Sequence, residues 1–70
     1  MTVLFEVQVE RTGFGYCCGV RVAASKPELA AEAAERIVAE RFGGMSVLHQ
    51  FFAYSVKALT GADFLLLTNG

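Results

Sequence analysis

The residue pattern predicts an α+β fold of order ββααβ, and three observations carry it. A period-two alternation runs on both sides of a glycine-bracketed turn. An alanine-rich segment follows a proline, and an unbroken apolar run stands near the end. The two helices are expected on one face of a small three-stranded sheet. If residues 46–60 are extended instead, the order becomes ββαββ. Seventy residues leave room for one domain, 1–70.

In the first strand Val3, Phe5, Val7 and Val9 alternate with Leu4, Glu6, Gln8 and Glu10. The second alternates Cys18, Val20, Val22 and Ala24 with Cys17, Gly19, Arg21 and Ala23. Between them stands Arg11-Thr12-Gly13-Phe14-Gly15-Tyr16, whose glycines permit a positive φ at low cost, so Thr12 to Gly15 reads as a hairpin loop. Closing it there sets Val9 opposite Cys18, Val7 opposite Val20 and Phe5 opposite Val22 on the inner face. Glu6 then meets Arg21 on the outer face, a favourable cross-strand pair. A one-residue slip would undo all of these matches at once.

Ser25-Lys26-Pro27-Glu28 has the spacing of a capping box, and a first-turn proline is tolerated. A helix is expected to about Phe42, stopped by Gly43-Gly44. Its inner stripe is Ala30, Ala33, Ala34, Ile37 and Val38; Glu28, Glu32, Glu35 and Arg36 face water. Such small inner residues let a helix sit close to a sheet. Over residues 46–60 strand propensity and period disagree. Phe51, Phe52, Tyr54 and Val56 suit a strand. On a helical wheel, however, Val47, Leu48, Phe51, Phe52, Ser55, Val56 and Leu59 share one half. The period predicts a second helix with Phe52 and Val56 in the core and Gln50 and Lys57 in solvent. After the turn Thr60-Gly61-Ala62-Asp63, the run Phe64-Leu65-Leu66-Leu67-Thr68 reads as a strand buried on both faces.

Composition narrows the function classes. Six Lys and Arg against seven Asp and Glu are scattered without a like-charge run. Neither a polyanion nor an anionic membrane surface is favoured. No signal-peptide pattern or membrane-length apolar segment is visible, which predicts a cytoplasmic protein. The apolar fraction is 54% and the mean hydropathy is +0.46. A domain this small buries only about 60% of its unfolded surface, so that excess points to self-association or a stable partner. The adjacent Cys17 and Cys18 are too close for an unstrained disulfide and point to opposite faces of a strand, which leaves two ordinary thiols.

No constellation points to catalysis, a metal or a cofactor. His49 is the only histidine and has no cysteine or carboxylate three or four residues on; the carboxylates are dispersed. The glycines 13, 15 and 19 miss the dinucleotide-binding spacing and open into a strand rather than a helix. The expected function is a non-enzymatic protein–protein interaction module, homodimeric, with Arg11, Phe14, Leu65 and Leu67 as contact residues. Phe14 at a loop tip has little core to reach. Leu65 and Leu67 belong to the last strand, one side of which is expected to point outward.

Two resemblances supply alternatives. Gly13-Phe14-Gly15-Tyr16 resembles the centre of the stacking motif of RNA-recognition domains, which would imply a small nucleic-acid-binding domain. Thr12 interrupts that motif after Arg11, and the motif belongs on the third strand of a longer domain. In general build the chain resembles the small anti-CRISPR-like inhibitors that phages and mobile elements direct at host defence proteins, which would imply an inhibitor.

Overall fold

Residues 2–59 are described by the computed structural model. They form strand β1 (Val3–Arg11), strand β2 (Tyr16–Ala24), helix α1 (Pro27–Glu40), a 3-10 helix (Gly44–Gln50) and strand β3 (Phe51–Ala58). The sheet is antiparallel in the order β2-β1-β3, so the N-terminal strand lies in the middle. This is a small α+β domain with three strands. The expected closing strand at 64–67, with Leu65 and Leu67, lies outside the described residues.

The hairpin pairs as the alternation requires: Phe5 with Val22, Val7 with Val20, Val9 with Cys18 and Glu6 with Arg21. Val7 and Val9 are fully buried at the centre of the inner face. On the outer face the Arg21 Nε lies 3.5 Å from the Glu6 Oε1, an exposed pair that adds at most about 1 kcal/mol.

Helix α1 covers the inner face through Ala30, Ala34, Val38 and Ala39. Three details depart from expectation. The capping box does not form, because Lys26 is the N-cap and makes no side-chain cap bond. Proline at the first helical position holds the preceding residue extended, so Ser25 lies one residue too far back. Ile37 is turned outward, and Glu35 is half-buried rather than solvated. Both follow from one contact: the Glu35 Oε2 accepts the Ala53 N–H of β3 at 2.9 Å. That bond draws the Glu35 side of α1 onto the sheet and rolls Ile37 away.

Residues 46–59 are not one helix. The 3-10 helix ends at Gln50, and Phe51 begins β3. Phe51 is 5% exposed and belongs to the core; Phe52, expected inside, is 57% exposed. Gln50, expected in solvent, is half-buried, and Ser55, expected inside, is exposed. The reason is a bulge. Gln8 pairs with Ser55 while Val9 pairs with Ala53, so Tyr54 has no residue opposite it. Phe51 and Ala53 face the helix before the bulge, and Val56 faces it afterwards.

The Glu35–Ala53 bond makes a direct prediction. Glu35→Ala leaves a strand N–H without its acceptor and is expected to cost about 1–3 kcal/mol. Glu35→Gln keeps an oxygen there and is expected to cost less. Urea denaturation, together with faster hydrogen exchange at the Ala53 amide, would check both; equal stabilities for the three proteins would show that the bond carries nothing.

Candidate functional site

The hairpin end holds Arg11 and Phe14, two of the four contact residues that the sequence singles out. Arg11 closes β1, and the Phe14 N–H donates to the Arg11 carbonyl at 3.2 Å. Gly13 has φ 83° and Gly15 has φ 66°. The Gly13 value fits the third position of a type II turn, where a side chain would be strained. The loop therefore turns tightly and holds Phe14 at its tip, 59% exposed.

Arg11 organises the whole end. Its Nε donates to the Gln50 Oε1 at 2.8 Å, and the Thr12 N–H donates to the Gln50 carbonyl at 2.7 Å. The guanidinium carbon stands 3.9 Å from the Phe14 ring centre, 5.0 Å from Phe42 and 5.5 Å from Phe51. Each is within cation–π range. Phe42 also packs edge-on to Tyr16, with centroids 5.0 Å apart, and lies 5.5 Å from Phe51. Arg11 thus ties the loop, the end of α1 and the start of β3 into one body. A planar cation fits this place, because it can hydrogen-bond at its edge while its faces lie against rings.

Arg11 and Phe14 are therefore brought together. Tyr16 is not part of their surface, because it lies on the helix-covered side against Phe42. Its hydroxyl is pushed above the usual tyrosine range, chiefly by its hydrogen bond with the Cys18 thiol and by burial, against the opposing pull of Arg41. The rings of Phe14 and Tyr16 consequently do not form one stacking platform.

The outer sheet face, where the alternation already places Leu4, Cys17 and Ala23, also carries two aromatic rings that the sequence pattern did not place there. No described helix covers the outer sheet face, where Phe52 and Tyr54 are 57% and 50% exposed beside exposed Cys17. Partial burial, then the Cys17 thiol and Glu10, raise the Tyr54 hydroxyl above its ordinary range. The charges on this face, Glu6, Glu10, Arg21 and Lys57, balance one another. Pairing β3 with β1 at the correct register is the only signal that would have revealed the two rings.

Among the described residues no three His, Cys, Asp or Glu side chains gather as metal ligands would. His49 is exposed. Cys17 and Cys18 are both free, one on each side of β2. Among the same residues no helix is long and apolar enough to cross a membrane.

No family model, curated protein or solved structure matches the chain. Phe14 is a large exposed ring on a short, pinned loop.

Proposed function

We propose that this chain is a non-enzymatic protein-binding module, one that also self-associates, with Phe14 as its principal anchor. The observation that carries the reading is the Phe14 ring held at the hairpin tip 3.9 Å from a guanidinium that Gln50 fixes in turn. An aromatic ring already immobilised before binding loses little freedom on docking. Exposed aromatic side chains of this kind supply a large share of interface energy. Arg11 is then a positioning residue as well as a rim contact. The nucleic-acid alternative is less favoured, since Tyr16 is engaged with Phe42 and the charges balance.

The test separates anchoring from folding. Phe14→Ala is expected to lower stability by less than about 1 kcal/mol, the scale of one exposed cation–π contact. With p-benzoylphenylalanine at position 14, irradiation in the expressing cells should give a discrete protein adduct. The same probe at exposed Glu32 should give none. Partner binding by Phe14→Ala should weaken by about 2 kcal/mol or more. Unfolding of Phe14→Ala, or equal adducts from positions 14 and 32, would defeat the reading.

A further inference from the structure

The edge of β2 that no other described strand covers has a defined chemistry, which the hydrogen-bond parity of the central strand reveals. The Leu59 N–H donates to the Leu4 carbonyl at 2.8 Å, and Thr12, also even-numbered, donates toward Gln50. A residue in a strand sends its N–H and C=O to the same side. Even-numbered residues of β1 therefore face β3, and odd-numbered ones face β2. Opposite those odd residues stand Tyr16, Cys18, Val20, Val22 and Ala24, whose backbone groups close the hairpin ladder. The N–H and C=O groups of Cys17, Gly19, Arg21 and Ala23 point outward. All four residues are exposed, and among the described residues no strand lies beyond them.

The two edges of the sheet differ. On β3 the bulge at Tyr54 breaks the edge, Lys57 adds a charge and Glu35 takes the Ala53 N–H. These are the devices that keep an edge strand from pairing. β2 runs for nine residues without a proline or a bulge, and Arg21 is its only charged residue.

We infer that β2 pairs antiparallel with β2 of a second copy of this chain, making a six-stranded sheet with both α1 helices on one face. The inference rests on the self-association in the proposed function and gives it a surface. Strand β2 is close to symmetric in character about Val20, with apolar residues on the helix side and small Cys17, Gly19 and Ala23 on the other. Full overlap sets Val20 against Val20 of the second copy and Cys18 against its Val22. On the outer side Gly19 meets Arg21, and Cys17 meets Ala23. A two-residue shift in either direction shortens the ladder, and one of the two opposes the two Arg21 side chains, an unfavourable like-charge pair. A one-residue shift puts the helix-facing residues of one copy opposite the outer residues of the other.

Three measurements on the full chain test this. In a concentration series, sedimentation should move from monomer to dimer while exchange of the Cys17, Gly19, Arg21 and Ala23 amides slows in step. Arg21→Pro removes an outward N–H without touching the hairpin ladder, and edge strands tolerate proline there. It should weaken dimerisation at least tenfold, whereas Arg21→Ala should stay within about threefold, because its N–H remains free to pair. With Cys17 and Cys18 changed to serine, Val20→Cys should cross-link under oxidised glutathione. The two Cα atoms of such a non-hydrogen-bonded pair lie about 4.5 Å apart, within disulfide reach.

A dimer whose four amides stay fast would place the interface elsewhere, overturning the inference and leaving self-association intact. A monomer at every concentration with fast amides would overturn both. So would a monomer with slow amides, which would mean that the chain covers this edge itself. Should Arg21→Pro fail to fold, exchange in the unaltered protein decides.

Discussion

Phe51→Ala is expected to cost about 3–5 kcal/mol, the usual range for deleting a buried phenylalanine. The ring is 5% exposed, packs with Phe42 and lies within reach of the Arg11 guanidinium, so its loss opens the core and the hairpin end together. A core this small rarely supplies more than about 3–5 kcal/mol in total, so the variant should be largely unfolded at room temperature. Its neighbour behaves oppositely. Phe52→Ala removes an outward ring and is expected to change stability by less than about 1 kcal/mol. Far-ultraviolet dichroism and urea midpoints of the two variants check the pair. If Phe52→Ala were the costly one, β3 would have to be turned over relative to β1.

Ala34→Leu carries the next largest expected effect, about 1–3 kcal/mol of destabilisation from overpacking. Ala34 has no exposed surface and faces the sheet between Ala30 and Val38. Leucine and alanine differ little in helix propensity, so the loss would report packing rather than helix formation. The expected signature is a lower thermal midpoint with helical dichroism retained below the transition. An unchanged midpoint would mean that α1 stands further from the sheet than its alanine stripe implies.

The legible part of the fold is the part where pattern and geometry repeat without interruption. The hairpin could be registered residue by residue, because its alternation is regular and two glycines mark the loop. The alanine face of α1 was equally visible, though Glu35 and Ile37 were misplaced. A single cross-element bond sets that roll, and the bond partner is a backbone N–H that no residue type announces. β3 failed for a different reason. Its inward positions, 51, 53 and then 56, skip a residue at the bulge, and that uneven spacing imitates a helical period. The 3-10 helix just before it extended the apparent wheel and made the run look too long for a strand. At the candidate site, Arg11 and Phe14 were legible from the loop. The roles of Gln50 and Phe42 were not, because their meeting depends on where β3 and the end of α1 finally dock.

The sheet order also bears on synthesis. Strand β1 leaves the ribosome ahead of the other described elements, yet it lies between two neighbours made later. β2 follows within a few residues, so one side can be satisfied early. The other side must wait for Phe51–Ala58, and until then half of the backbone polar groups of β1 remain open to any extended chain nearby. Co-translational folding of this domain should therefore be abrupt: a hairpin with a loosely held helix until β3 emerges, and completion only when the sequence-distant pairing is made.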